Sequence, residues 1–364
     1  MRSPFPRSND CCTLLRVLKS LCISAAGITL FAVAAMAAKT LDIYFIDVEG
    51  GQSTLIVTPR GESLLVDTGF AANGFDDTSN RGRDAQRIVA AVRAAGLKRI
   101  DYLLTTHFHA DHDGGVTDVM AQIPIDTFID HDNVLPEAEQ GVPGTLEAFR
   151  AYAAARAKAR RHIVVKAGDR IPLKDMHAVI VSSAGKVIDK PILGPPEPNA
   201  VCAPSPMSAQ EIYENPRSTG FVLQFGKFRF LDAGDLTGKP LFDLVCPINL
   251  IGEVDAYLVA HHGGPDAADP ATFAAFKPRI AVLNNGSTKG GAADMFRLLH
   301  RLTGFDVWQL HRSRNAGSEN FADERIANLD EATSHWIKLS ANADGSFCVT
   351  NARTGIVLQY RKVR

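Results

Sequence analysis

Hydrophobic and polar positions alternate over residues 41–47 and again over 53–58, the pattern of half-buried strands. Pro59-Arg60-Gly61-Glu62 supplies a turn before a third strand over 63–67, so the chain opens as a β-meander. The period then changes. Ile88, Val89, Val92 and Ala95 share one face of a helix over 84–95, with Gly96 as its stop. A strand over 100–105 runs straight into a histidine-rich segment, and a short helix is expected near Gly115. Between 130 and 215 the pattern is less regular: an Ala- and Arg-rich helix over 145–161, a strand over 177–182 and a proline-rich loop over 191–206. Order returns with a hairpin, 221–225 and 228–231, turning at Gly226-Lys227. A strand over 256–260, a helix near Ala271, a strand over 280–283, a helix over 292–302 and a strand over 307–310 follow. A second meander closes the chain over 336–360. Meander, helix and strand, met twice, predict an α/β fold of two sheets with helices outside. No linker divides it, so 38–364 is read as one domain.

The first residues differ in kind. Arg7, Arg16 and Lys19 precede an apolar run over 21–35, followed by Ala35-Met36-Ala37-Ala38. A basic start, a short apolar run and an A-x-A site describe a signal peptide over 1–37, cut after Ala37. The mature protein is then periplasmic or secreted, with no membrane span after cleavage. Cys22 lacks the small preceding residues of a lipid-anchor site. Cys202, Cys246 and Cys348 remain in the mature chain, allowing at most one internal disulfide and leaving one thiol. A composition of 46% hydrophobic and 22% charged residues suffices for a sizeable core. The net charge of -1 gives no electrostatic reason to expect a nucleic-acid or membrane partner.

The strongest chemical signal is Thr105-Thr106-His107-Phe108-His109-Ala110-Asp111-His112-Asp113-Gly114-Gly115. Histidine and carboxylate side chains this dense, at the end of a strand, fan toward one or two points. Such a mixed set suits Zn2+ first, with Mn2+ or Fe2+ as alternatives. The other histidines carry less. His131, between Asp130 and Asp132, and His311, after the strand over 307–310, lie where they could reach a pocket, but a surface or core role is the default. His162, His177, His300 and His335 have no neighbours that point to chemistry. Arg312 and Arg314 could clamp an anion, against a default of solvated arginines.

The HxHxDH pattern resembles the metallo-β-lactamase superfamily, and other segments match in order. Phe45-Ile46-Asp47-Val48-Glu49-Gly50-Gly51-Gln52 and Leu64-Leu65-Val66-Asp67-Thr68-Gly69 look like the two opening strands. Phe230-Leu231-Asp232-Ala233-Gly234-Asp235 resembles the strand delivering a bridging carboxylate, and Leu258-Val259-Ala260-His261-His262-Gly263-Gly264 the strand delivering the last histidine. The DVEGGQS, LDAGDL and HHGG elements look closest to the hydrolase-like domain of bacterial DNA-uptake (competence) proteins and to secreted phosphorylcholine esterases. The resemblance implies an αββα sandwich of two mixed sheets with helices outside. It implies one or two metals: His107 and His109 on the first, Asp111 and His112 on the second, and Asp235 between them. His261 would complete the second site, with His262 the other candidate there or a group facing the substrate. Asp67 would orient the ligand loop. Many members supply a third histidine to the first site; residues 212–220 contain none and offer Asn215 and Ser218, so that site would bind more weakly.

Two divalent cations, with Asp111, Asp235 and a hydroxide between them, would leave about one net positive charge. That favours a small anionic ester, above all a phosphodiester, attacked by metal-bound hydroxide with Asp111 orienting it. A lactone, β-lactam or other acyl substrate is the alternative on the same site. A non-catalytic metal-binding domain is the reading from another class, opposed by the intact HxHxDH.

Overall fold

The strand Leu41–Phe45 shows why the chain forms layers. Leu41, Ile43 and Phe45 enter one apolar core, whereas Tyr44, and Ile46 just beyond the strand, enter another. Successive side chains of a strand point to opposite faces, so this strand is packed on both sides. The computed structural model describes residues 39–72, 82–202 and 213–362. The expected signal peptide over 1–37 and residues 203–206 of the proline-rich loop lie outside the described residues.

Two large sheets face one another. The nine-stranded sheet runs Val357–Tyr360, Phe347–Asn351, Ile337–Ala341, Leu41–Phe45, Thr54–Val57, Ser63–Val66, Ile100–Leu104, Ile125–Asp130 and Arg161–Val164. The closing meander thus joins the opening one, with Phe45 opposite Ile337. The eight-stranded sheet runs Ile326–Asn328, Asp306–His311, Ile280–Leu283, Ala256–Leu258, Phe228–Asp232, Gly220–Phe225, His177–Ser183 and Lys186–Val187. Each mixes antiparallel hairpins with parallel pairs. Phe45 and Phe221 both pack edge-on against Phe230 in the core between the sheets, with centroids 5.8 and 6.2 Å away. Helices cover the outer faces. Ile88, Val89 and Val92 of Arg83–Ala94 and Tyr152 of Thr145–Arg156 pack on the first sheet. Leu241 and Leu244 of Gly238–Val245, Phe273 and Phe276 of Pro270–Phe276, and Met295 and Phe296 of Ala293–Arg301 pack on the second. The result is the αββα order that the sequence implied.

Some elements differ from the sequence reading. The helix expected over 145–161 ends at Arg156, and Arg161–Val164 adds a strand beside Ile125–Asp130. The strand expected over 256–260 stops at Leu258 and gives way to the turn Ala260–Gly263. The short helix near Gly115 is preceded by another, Ala110–Asp113, inside the histidine segment. Cys202 and Cys246 form a disulfide, and Cys348 is a buried thiol. Among the described residues no helix is long and apolar enough to cross a membrane.

The parallel strands position the chemistry. Ser63–Val66, Ile100–Leu104 and Ile125–Asp130 run parallel in one sheet; Phe228–Asp232, Ala256–Leu258, Ile280–Leu283 and Asp306–His311 do so in the other. Loops leaving the carboxyl ends of such strands are the usual place for a site in an α/β fold.

Candidate metal centre

Asp67 follows the strand Ser63–Val66 with left-handed backbone (φ 59°) and is fully buried. Its Oδ1 accepts the Thr106 N–H at 2.8 Å, and its Oδ2 accepts the Thr106 hydroxyl and stands 2.7 Å from His112 Nδ1. The carboxylate therefore ties the first residues of the histidine segment to the sheet and fixes the His112 ring. The loop over 49–52 supports the segment from the other side. The Gln52 N–H donates to the Asp111 carbonyl at 3.1 Å, and Gly51 presses so closely on that carbonyl that a Cβ would not fit. A turn shaped by the Gly234 N–H donating to Asp232 Oδ1 at 3.0 Å delivers Asp235. Gly234 has φ 55°, and a Cβ there would stand 2.8 Å from Thr106.

These supports bring four ligand atoms of Asp111, His112, Asp235 and His262 within 4.8 Å of one another, all four residues buried. His112 Nε2 lies 3.1 Å from Asp235 Oδ2, 3.2 Å from Asp111 Oδ2 and 3.3 Å from His262 Nε2. His262 Nε2 lies 3.2 Å from Asp111 Oδ2 and 3.1 Å from Asp235 Oδ2. Because Asp67 accepts at Nδ1, His112 would keep its proton there and present a lone pair at Nε2 once a cation displaces the Nε2 proton. In that state the centre is a cage of acceptors converging on one point, and Asp235 Oδ1 is buried with no hydrogen-bond partner among the described residues. Burial alone would push the His112 imidazole down, but Asp235, Asp111 and Asp67 outweigh it and hold it well above the usual histidine range. Burial likewise opposes ionisation of Asp111 and Asp235. Lys289 and His112 outweigh it for the first, and His112, His262 and His261 for the second, so both sit well below the usual carboxylate range. A cage this eager for positive charge, with imidazole and carboxylate donors, fits a divalent cation such as zinc.

His107 and His109 form a neighbouring pair, with His107 Nε2 3.0 Å from His109 Nδ1. Burial pushes both imidazoles down, His109 to about 4, so they present neutral nitrogens. His107 Nε2 is 3.9 Å from Asp235 Oδ2, and His109 Nε2 is buried with no hydrogen-bond partner among the described residues. Where a third histidine would complete this pair, Ser218 Oγ stands 3.4 Å from His107 Nδ1 and Asn215 Nδ2 turns to His261 Nε2 at 3.3 Å.

The HHGG element divides its two histidines. Both have left-handed backbone, at φ 50° and 53°, which aims their rings differently. His262 enters the four-residue cage. His261, placed first in the sequence reading, is 27% exposed; its Nδ1 meets the Asp266 carboxylate at 2.8 Å and its Nε2 stays 3.8 Å from Asp235 Oδ2. Burial would push His261 down, but Asp235 and Asp266 raise it to about 9.

The remaining residues of the sequence reading fall outside the cage. His131 is buried against Phe108, ring centroids 4.5 Å apart, with Nε2 3.2 Å from Glu214 Oε2. His311 Nε2 is 3.6 Å from Glu49 Oε2, in a cluster with Asp47. The Arg87 guanidinium reaches into that cluster, 3.1 Å from Glu49 Oε1 and 3.5 Å from Asp47 Oδ2, so a cation already stands there. Arg312 pairs with Asp323, and Arg314 with Glu331. His162 bonds Asp130 Oδ1 at 2.8 Å, and His300 bonds the Glu319 carbonyl at 2.8 Å. The structure adds one residue that the sequence reading passed over. Lys289 sets its ammonium on Asp111 Oδ2. Its only sequence signal is the glycine-rich stretch Gly286-Ser287-Thr288-Lys289-Gly290-Gly291 after a strand.

Residues 46–188 match the family model of the Metallo-beta-lactamase superfamily. That stretch includes the strand before Asp67 and the whole histidine segment. Over 67 residues the chain is 40% identical to a hydroxyacylglutathione hydrolase of Alkalilimnicola ehrlichii, a match covering 18% of this chain and 23% of that protein. Among solved structures, a CmlA beta-hydroxylase mutant aligns over 74% of this chain and 52% of its own, at 15% identity and a TM-score of 0.42. A diphosphatase of the PhnP family aligns over 71% of this chain and 81% of its own, at 11% identity and a TM-score of 0.36.

Proposed function

We propose that this protein is a metal-dependent hydrolase of the metallo-beta-lactamase superfamily acting on a phosphodiester or other anionic ester. The observation that carries the reading is the buried acceptor cage, His112 Nε2 and His262 Nε2 facing the Asp111 and Asp235 oxygens at 3.1–3.2 Å. Asp111, His112, Asp235 and His262 would hold one cation, zinc before manganese or iron(II), and His107 and His109 would hold a second more weakly. A metal there lowers the pKa of bound water to about 7. Asp67 would fix the His112 ring, and the ionised Asp111 would orient the attacking group. The phosphodiester reading leans on the DVEGGQS, LDAGDL and HHGG elements that resemble secreted phosphorylcholine esterases, and on attraction of an anion to a positively charged centre.

A second reading, hydrolysis of an acyl ester, is favoured by the name of the hydroxyacylglutathione hydrolase relative. Steady-state kinetics at matched metal loading separate the two. Bis(p-nitrophenyl) phosphate or a phosphorylcholine ester is expected to show a higher kcat/KM than acyl-lactones or β-lactams, with activity lost to chelator and restored by zinc or manganese. A lactone or β-lactam ahead by about tenfold, roughly 1.4 kcal/mol in transition-state binding, transfers the assignment to the acyl class.

We also propose export. The basic, apolar and A-x-A order of the first residues supports it, and the Cys202–Cys246 disulfide is at home in an oxidising compartment. N-terminal sequencing of extracytoplasmic protein is expected to begin near Ala38. Intact Met1 on that material contradicts cleavage.

A further inference from the structure

Lys289 lies in the loop between the strand Ile280–Leu283 and the helix Ala293–Arg301. Its backbone is held from two sides. The Gly286 N–H donates to the Lys289 carbonyl at 2.9 Å, and the Gly291 N–H donates to the His262 carbonyl at 2.8 Å. A Cβ on Gly50 would stand 2.7 Å from the Lys289 Cβ, and Gly290 leaves no room for one against the His262 carbonyl. From this fixed base the side chain passes the Phe70 ring, Nζ 5.2 Å from its centroid, and ends on Asp111 Oδ2. The side chain is nevertheless 41% exposed, whereas Asp111, His112, Asp235 and His262 are buried. The ammonium therefore stands on the solvent side of the cage.

Asp111 Oδ2 serves three neighbours at once: Lys289, His112 Nε2 at 3.2 Å and His262 Nε2 at 3.2 Å. A cation held by Asp111 competes for that oxygen and repels the ammonium. Among the described residues Asp111 is the carboxylate with which Lys289 pairs. A lysine ammonium is a compact charge with three donors on a flexible stem. With its base fixed and its first partner engaged, it can turn to an incoming anion at the mouth.

We propose that Lys289 is the anchor for a negatively charged oxygen of the substrate, gripping a phosphoryl oxyanion at the entrance to the cage. This rests on the phosphodiester reading above and specifies how that substrate is held. The ammonium attracts the anion before reaction, so Lys289 acts mainly on KM, and the Phe70 ring beside it limits the directions from which the anion approaches.

The test uses metal-loaded full-length protein and inorganic phosphate, titrated by calorimetry, with metal content measured alongside. K289Q is expected to bind phosphate roughly tenfold more weakly at unchanged metal content, and K289R to stay within about threefold of the parent. In turnover, K289Q raises KM for bis(p-nitrophenyl) phosphate by a larger factor than it lowers kcat. Phosphate binding by K289Q equal to the parent's, or metal loss in K289Q as large as in D111A, overturns the proposal. Failure of the phosphodiester reading appears separately, as a parent that does not turn over the diester, while the phosphate titration still reports on Lys289.

Discussion

Asp235→Ala is expected to weaken metal binding by about 100-fold or more, beyond the 10–100-fold typical of losing an outer-shell partner. Asp235 Oδ2 is the oxygen shared by His112 Nε2 and His262 Nε2, each at 3.1 Å. Its Oδ1 is buried with no hydrogen-bond partner among the described residues, so the carboxylate is not tied elsewhere through that oxygen. Without this carboxylate the two imidazoles face each other at 3.3 Å, with Asp111 as the remaining anion of the cage. His112→Ala should lose metal to a similar degree, because it removes a ligand and takes from the buried Asp67 Oδ2 one of its two partners, leaving the Thr106 hydroxyl. His107→Ala should lose markedly less. His107 Nε2 is 3.9 Å from Asp235 Oδ2, and residues 212–220 add no third histidine to the pair it forms with His109. Elemental analysis after dialysis measures all three variants, with circular dichroism confirming that each is folded. Equal losses from His107 and Asp235 would show that the stronger site has been misplaced.

Much of this centre was legible because it is local. HxHxDH places its residues within one segment, and the strand over 100–105 that precedes it has its own β pattern. Asp67 and Asp235 were legible because each follows an apolar strand at a turn containing glycine. What escaped depends on partners far away in sequence. The strand Arg161–Val164 is an edge strand in which Arg161, His162 and Val164 are exposed, and it is fixed by pairing with Ile125–Asp130 and by His162 bonding Asp130. It begins where an Ala- and Arg-rich run ends, and the propensity of that run carried the expected helix as far as Arg161. Lys289 is separated from Asp111 by 178 residues, and nothing in its own neighbourhood announces that contact. The proximity of His131 to Glu214 likewise exists only once the loop after Ile125–Asp130 meets the segment before Gly220–Phe225.

The two adjacent histidines of HHGG provide the other large effect. His262→Ala is expected to release metal by about 100-fold, whereas His261→Ala should stay within a few-fold of the parent. A strand running through both residues would send their side chains to opposite faces, and the sequence does not reveal which face holds the cage. The chain instead leaves the strand at Leu258 and enters a turn with both residues left-handed. The Gly291 N–H and the tight approach of Gly290 hold the His262 carbonyl, and the ring of His262 is driven inward to 1% exposure. There its Nε2 reaches two carboxylates, and its Nδ1 has no hydrogen-bond partner among the described residues. His261 is turned outward onto Asp266, which takes its Nδ1 at 2.8 Å, while Nε2 faces the Asn215 amide at 3.3 Å. Removing it leaves the cage distances intact and opens space at the rim. Metal content of both variants, measured with the parent after identical dialysis, decides the matter. A larger loss from His261→Ala than from His262→Ala would mean that the outward ring swings in to become the ligand, and the first reading of the sequence would stand.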